Sequence, residues 1–274
     1  MRLSFALLLM LAATGASRAD INSGLDRLTR RDETFGWEAV GRLDIGDHGF
    51  CTGTLIATDL VLTAAHCLFD HATGAPEDIS TITFRAGLSD GTSVAVAHAL
   101  RAVAHAGYDP HEQTGQNSIR HDLALVQLAT QIPSAVAAPF VVQGPGNVQQ
   151  VSVVSYAQGR EEALSWQRAC AVVGHRDGLL AFDCDVDFGS SGAPVFDRSE
   201  GRARIVSIIS AGHKDAEGTL AYGMELPGLL ADLKAALRSG HGVFEVAQKA
   251  LPTIRRIGQG STDSRDISAR FVKP

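Results

Sequence analysis

Short apolar runs, many of them alternating with polar residues and separated by turn-forming residues, dominate the chain from Trp37 onward. A period of two is typical of strands that bury one face. The expected strands are Ala39–Ile45, Phe50–Ile56, Leu60–Ala64, Ile82–Ala86, Val94–Val103, Leu123–Leu128, Phe140–Val142, Val151–Tyr156, Ala169–Val173, Leu179–Cys184, Ala193–Asp197 and Ile205–Ser210. Such a series without long intervening helices predicts an all-β fold that closes into barrels.

One segment near the C-terminal end has a helical period instead. Apolar residues in Gly228–Ser239 recur three and four positions apart, and Gly240 follows as a stop signal. The extension His241–Pro274 contains Phe244–Leu251, a candidate for a second short helix, followed by a more polar stretch that is expected to be flexible. The pattern assigns no function to this extension.

The composition suits an ordinary globular protein. The chain has 274 residues, 45% of them hydrophobic, which is enough for one or two domains with a sizeable core. Its formal net charge of −6 gives no reason to expect a nucleic acid or an anionic membrane as a partner. We expect a monomer.

The first residues have the pattern of a secretory signal peptide, Met1–Ala19. Arg2 supplies the positive end, Phe5–Leu11 the apolar core, and Ser17–Ala19 a cleavage site with small residues. The alternative is an N-terminal core helix. The apolar run is too short to span a membrane, so export to the periplasm or the medium is expected, with no membrane partner after cleavage. The polar segment Asp20–Thr34 is either a short pro-segment or a solvated arm.

The four cysteines agree with export. They form an even set that allows three pairings: Cys51, Cys67, Cys170 and Cys184. Zinc ligation is the competing interpretation, but no pair has the C-x₂-C spacing, and cysteines of exported proteins are normally oxidised. We therefore expect two disulfides and no metal.

A glycine-flanked serine turn is the first candidate for chemistry. In Asp187–Val195, Gly189 and Gly192 can adopt dihedral angles that a Cβ would disfavour, so the N–H groups of Gly189 and Ser191 can converge on one point. Converging donors are what a developing oxyanion needs. By themselves, these residues are also compatible with an ordinary Gly/Ser-rich turn.

Two upstream motifs add a base and an acid. His66 follows a strand-like run and precedes a cysteine, and Asp122 opens an alternating apolar strand. A serine hydroxyl is a poor nucleophile at neutral pH without an adjacent base, and histidine has a suitable pKa. Taken singly, His66 could be a satisfied buried histidine and Asp122 a turn residue at the start of a strand.

The order His66, Asp122, Ser191 resembles that of the chymotrypsin/trypsin-like serine peptidases. The resemblance covers roughly Trp37 to Leu230, and the serine motif is similar in style to the bacterial glutamyl-endopeptidase-like (V8-like) branch. It implies a peptidase domain at 35–240 with two packed six-stranded antiparallel β-barrels, joined near Ile132–Pro139. The predicted helix resembles the C-terminal helix that closes the second barrel.

The resemblance also implies a mechanism that needs no cofactor. Ser191 would be the nucleophile, His66 the general base, Asp122 the residue that orients the histidine, and the N–H groups of Gly189 and Ser191 the oxyanion hole. The substrate would be a protein or peptide. The alternative is a catalytically inactive relative that binds peptides in the same cleft. An esterase is a weaker reading, because α/β-hydrolases order their triad Ser, acid, His.

The disulfide pairing is likewise implied by the resemblance. Cys51–Cys67 resembles the disulfide that the family carries beside its catalytic histidine. This pairing leaves Cys170 to bond with Cys184, closing a hairpin that leads to the serine turn.

Substrate preference is left open by the sequence. Asp185 matches the family's acid in the primary pocket, which would favour Lys or Arg side chains; the alternative is a structural role such as capping a turn. Ser210-Ala211-Gly212 resembles the strand that pairs with substrate backbone, with Ala211 in place of a bulky residue. His213 is expected to be exposed. Ser190 replaces the aspartate that many members carry, so activation by an ion pair at that position is not expected.

Overall fold

The computed structural model describes residues 25–47, 49–112, 115–215 and 218–246, most of which belong to strands and their connecting turns. The strands are β1 Leu25–Arg27, β2 Val40–Ile45, β3 Gly49–Ala57, β4 Leu60–Thr63, β5 Ile82–Ala86, β6 Ala95–Ala104, β7 Ala124–Leu128, β8 Gln150–Ala157, β9 Arg160–Arg176, β10 Leu179–Phe182, β11 Pro194–Asp197, β12 Arg204–Ile208, β13 Ala211–Asp215, β14 Gly218–Met224 and β15 Val243–Glu245. The α-helices are α1 Arg31–Thr34, α2 Gln116–His121 and α3 Pro227–Ser239, and 3₁₀ helices cover Ala65–Leu68 and Ile79–Thr81. The predicted signal peptide Met1–Ala19 lies outside the described residues. A search of the described helices finds none that is both long and apolar enough to cross a membrane.

The first sheet closes into a six-stranded barrel. Its strands pair in the order β6-β5-β2-β3-β4-β7, and β6 also pairs with β7. Every second residue points inward, and large side chains such as Leu43, Phe84 and Leu125 are fully buried. β15 pairs antiparallel with residues 101–103 of β6, and Phe244 lies opposite Ala102. The prediction of a helix over Phe244–Leu251 is therefore wrong at Phe244 and Glu245, because their backbone pairs with β6.

The second sheet is an open half-barrel. Its strands pair in the order β12-β11-β8-β9-β10-β14-β13, and β1 pairs with β9 outside this path. Among the described residues, no strand pairing joins β12 to β13, so β13 is the last strand of the sheet. The prediction of an all-β architecture with one C-terminal helix is confirmed, with an open second sheet in place of a second closed barrel.

An aromatic cluster joins the two sheets. The ring centroids of Trp37 lie 5.2 Å from those of both Trp166 and Phe196, and Phe140 lies 4.6 Å from Phe196. Aromatic pairs at these separations stabilise by more than their buried area alone. Leu28 is also buried, although it lies in the segment Asp20–Thr34, for which the sequence suggested a pro-segment or a solvated arm. The predicted junction at 132–139 falls in the connection between β7 and β8 and stays a prediction.

The C-terminal helix packs on the first sheet. Leu230, Leu233 and Leu237 of α3 are buried, and α3 contacts β6 and β7. Gly240 ends the helix in the left-handed conformation, with φ of 77°. The expectation that this helix closes the second barrel is wrong, because its apolar stripe is covered by the first barrel instead.

Two disulfides hold the loops around the cleft, with the pairing that the resemblance implied. Cys51–Cys67 joins β3 to the 3₁₀ helix at Ala65–Leu68, and Cys170–Cys184 joins β9 to the segment after β10. The two sequence separations are 16 and 14 residues. Each bond therefore restricts a loop of moderate length in the unfolded chain.

Replacing both Cys170 and Cys184 by alanine should lower the free energy of unfolding by about 3 kcal/mol, because the unfolded chain gains loop entropy. Urea unfolding followed by circular dichroism measures this difference, and the denaturant slope should rise because the unfolded chain without the cross-link exposes more surface. A variant as stable as the parent would contradict the expected contribution.

Candidate active site

His66 is positioned by the first barrel. It lies in the 3₁₀ helix that follows β4, and its neighbour Cys67 is bonded to Cys51 of β3. Ala64, Ala65 and Cys67 are buried, which anchors the turn on both sides of the histidine. The His66 ring lies at the wall of a cleft of about 740 Å³.

Asp122 is a buried carboxylate aimed at His66. It follows α2 and is only 3% exposed. Its Oδ1 accepts from the His66 backbone N–H at 2.8 Å, and its Oδ2 lies 2.7 Å from His66 Nδ1. Ser210 Oγ donates to the same Oδ2 at 2.6 Å. Three hydrogen bonds thus satisfy a charge that would be costly to bury alone.

This arrangement sets the protonation of His66. Burial lowers the pKa of the imidazole, but the negative charge and the hydrogen bond of Asp122 raise it, and the net result is a pKa above the ordinary 6.5. Because a carboxylate only accepts hydrogen bonds, Nδ1 carries the proton in the neutral ring. Nε2 is then the lone-pair nitrogen, which suits a general base.

The serine turn is built around two glycines. Gly189 and Gly192 have φ of 90° and 77°, in the left-handed region that favours glycine. A Cβ on Gly192 would lie 2.3 Å from both Thr52 O and Thr63 Oγ1, so the turn fits directly against β3 and β4. Ser191 O accepts from Thr52 N at 2.8 Å. The first barrel therefore braces a turn that belongs to the second sheet.

The two candidate oxyanion donors are oriented by the carbonyls that precede them. Phe188 O accepts from Gln158 N at 2.7 Å, and Ser190 O accepts from Ala193 N at 2.9 Å. In a trans peptide the N–H points opposite to the C=O, so the N–H groups of Gly189 and Ser191 point away from these partners. Within the described ranges, neither N–H donates to a protein acceptor.

His66 and Ser191 line the same cleft. The hydrogen bonds of the described residues do not include one between His66 Nε2 and Ser191 Oγ. In ligand-free structures such catalytic bonds are often long and tighten only when substrate is bound. The structure thus brings His66, Asp122 and Ser191 to one cleft and directly bonds the first two.

The strand predicted to bind substrate also lines this cleft. Ala211 and Gly212 belong to β13 and line the cleft, as does Ser210 just before it. The Ser210 hydroxyl is directed at Asp122, which the sequence does not indicate. His213 is exposed at the rim of the same cleft, as expected.

Asp185 is not brought into the cleft. Its side chain is exposed, and its backbone N–H donates to Gln167 Oε1 at 2.7 Å. Its charge acts on Arg160 instead. This placement favours the structural alternative for Asp185 over the role in the primary pocket.

Arg160 is a site neighbour that sequence reasoning missed. Its guanidinium donates to Ser155 Oγ at 3.0 Å and to Ser190 Oγ at 3.4 Å, directly behind the serine turn. Burial lowers the pKa of Arg160, and the charges of Asp185 and Asp187 only partly offset this effect. No local motif marks Arg160, because the contact joins residues 30 positions apart.

The site offers no ready metal ligands. In the part of the chain that the structure describes, Cys51, His66 and Cys67 are the one group of three potential ligands whose ligand atoms lie close together. Both cysteines are bonded to each other, so neither is available as a thiolate.

Comparisons with known proteins match parts of the chain to serine proteases. Serine protease SP24D from Anopheles gambiae is 29% identical over 166 residues, which cover 53% of this chain and 57% of that protein. Serine protease 56 from Homo sapiens is 36% identical over 105 residues, or 38% of this chain and 16% of that protein. Trypsin from Sarcophaga bullata is 27% identical over 192 residues, which cover 60% of this chain and 68% of that protein. The chain thus spans less than two thirds of the first two relatives.

A solved structure and a family model cover more of the fold. A Glu endopeptidase in complex with MPD superposes with a TM-score of 0.65 at 20% identity, over 78% of this chain and 96% of that chain. At this identity the match shows the fold alone. The family model described as a trypsin-like peptidase domain matches residues 51–204, which include His66, Asp122 and Ser191. The chain therefore belongs to the trypsin-like serine peptidase family.

Proposed function

We propose that this protein is an exported serine endopeptidase that hydrolyses peptide bonds through Ser191, His66 and Asp122 and an acyl-enzyme intermediate. The observation that carries the proposal is the buried Asp122, which holds both the backbone and the ring of His66. A merely structural carboxylate has no need to orient a histidine towards a serine across an open cleft.

The roles follow from the chemistry of each group. His66 Nε2 accepts the proton of Ser191 Oγ as the hydroxyl attacks the substrate carbonyl, and later donates it to the leaving amine. Asp122 keeps the ring in the required tautomer and stabilises the imidazolium that forms. The N–H groups of Gly189 and Ser191 stabilise the negative charge that develops on the carbonyl oxygen.

The competing function is an inactive relative that binds peptides. The missing hydrogen bond between His66 and Ser191 in the described residues is the observation that favours it. Two features support catalysis instead: both oxyanion N–H groups lack protein acceptors within the described ranges, and the base is already oriented. An inactive site has no reason to retain both.

Export and the domain limits belong to the same proposal. The signal peptide at 1–19 is followed by a catalytic domain at 35–240, with 20–34 at its N-terminal side and 241–274 as an extension. The two disulfides support an oxidising compartment. The protein acts on protein or peptide substrates, without a cofactor and as a monomer.

The Ser191→Ala variant should lose at least about 10⁴-fold in kcat, because the hydroxyl that would form the acyl-enzyme is removed. Its melting temperature should stay close to that of the parent. Hydrolysis of a peptide mixture followed by mass spectrometry measures the loss, and the exposed Ser199→Ala serves as the matched control. Substantial hydrolysis by Ser191→Ala would contradict the assignment of the nucleophile.

The dependence of kcat/KM on pH should follow the protonation of His66. Its pKa is raised above 6.5 in the folded protein, and only the neutral ring accepts a proton, so kcat/KM should rise as pH increases through that raised value. In Asp122→Asn the apparent pKa should move down, since the charge that raises it is gone. The stabilising His66–Asp122 ion pair follows the opposite course: it is fully present below pH 6.5 and lost as pH rises through the folded value. A kcat/KM independent of pH would argue against His66 as the base.

A further inference from the structure

The cleft offers the last strand of the second sheet to an extended ligand. β13 ends the second sheet, and its residues Ala211 and Gly212 line the cleft beside Ser191. An extended peptide can add to such an edge through backbone hydrogen bonds. Its side chains then alternate, and one of them enters the gap between β13 and the segment 186–188.

The floor of this gap is apolar. Val186 and Ile209 line the cleft and also belong to the apolar cluster inside the second sheet. They are 6% and 2% exposed, so only a small part of each faces the cleft. Thr219, which also lines the cleft, is half-buried and uncharged.

The gap is also narrow. A Cβ on Gly212 would lie 2.8 Å from Val186 Cγ2, so the valine side chain reaches close to the β13 backbone. The Val186 side chain therefore blocks the gap at Gly212, and only a short side chain fits in front of it. Ala211 adds little bulk on the same strand.

The charged residues on this wall lie at the rim. Asp187, His213 and Lys214 line the cleft but are all exposed. Asp185 lies outside the cleft, with its side chain in solvent. A charged side chain on the apolar floor would lose its hydration without gaining a buried partner, which is costly.

We propose that the pocket beside Ser191, floored by Val186 and Ile209 and closed by Gly212, selects a short uncharged aliphatic side chain, such as alanine or valine, before the cleaved bond. This inference rests on the proposed peptidase function and specifies its substrate class. It excludes Lys, Arg and Glu at that position.

The test uses peptides of one sequence that differ only in the residue before the scissile bond. The purified protein should cleave after Ala or Val with a kcat/KM at least tenfold above that for Lys, Arg and Glu. A smaller ratio, or a preference for any of the charged residues, would overturn the proposed selectivity while leaving the peptidase function intact.

Binding measurements test the pocket independently of catalysis. The same peptides are titrated by calorimetry into Ser191→Ala, which keeps the cleft. Tighter binding of the Ala or Val peptide than of the charged peptides supports the pocket even where the parent cleaves nothing, an outcome that would defeat the proposed function alone. Equal or weaker binding of the aliphatic peptides overturns the inference.

Two variants test the residues themselves. Val186→Asp places a carboxylate on the floor and should raise the Lys-to-Val ratio of kcat/KM at least tenfold, whereas the same change at the exposed Val173, outside the cleft, should leave it unchanged. If Val186→Asp fails to fold, Gly212→Ala replaces it. The added methyl would lie 2.8 Å from Val186 Cγ2, so Val186 must shift towards the cleft, and cleavage after Val should fall more than cleavage after Ala. An unchanged Lys-to-Val ratio in folded Val186→Asp, or an unchanged Val-to-Ala ratio in Gly212→Ala, would overturn the proposal.

Discussion

The buried carboxylate of Asp122 is the interaction on which the site depends. It accepts from the backbone and the ring of His66 and from the hydroxyl of Ser210. His66 belongs to the first barrel, whereas Ser210 connects β12 to β13 of the second sheet. A buried charge is stable only when its oxygens are hydrogen-bonded, so the carboxylate that orients the histidine also joins the two sheets through its bond with Ser210.

The serine turn shows the converse dependence. It follows β10 of the second sheet, yet Thr52 of β3 donates its backbone N–H to Ser191 O and its hydroxyl to Gly189 O. Gly192 fits against Thr63 with no room for a Cβ. Arg160 supports the turn from behind through Ser190, where many family members carry an aspartate. The cleft is thus a product of both sheets, and neither could form it alone.

Much of the fold could be predicted because strand signals are local. The expected strand Ile82–Ala86 has the same limits as β5, since its apolar and polar residues alternate cleanly. Phe140–Val142 forms only an isolated bridge between Val142 and Ile205. Alternation predicted neither β13 nor β14, which are polar and contain glycine, and only the resemblance indicated a strand at the start of β13. Their strand conformation comes from pairing with each other and, for β14, with β10, which alternation does not record.

By itself, the sequence determined the family, the all-β architecture and the three motif residues His66, Asp122 and Ser191, because each motif is read from a few neighbouring positions. The tertiary structure decided what surrounds them. It directs Ser210 to Asp122, places Arg160 behind the serine turn and leaves Asp185 in solvent. These contacts join residues far apart in the chain, and they depend on how two twisted sheets pack, which local residue patterns do not specify.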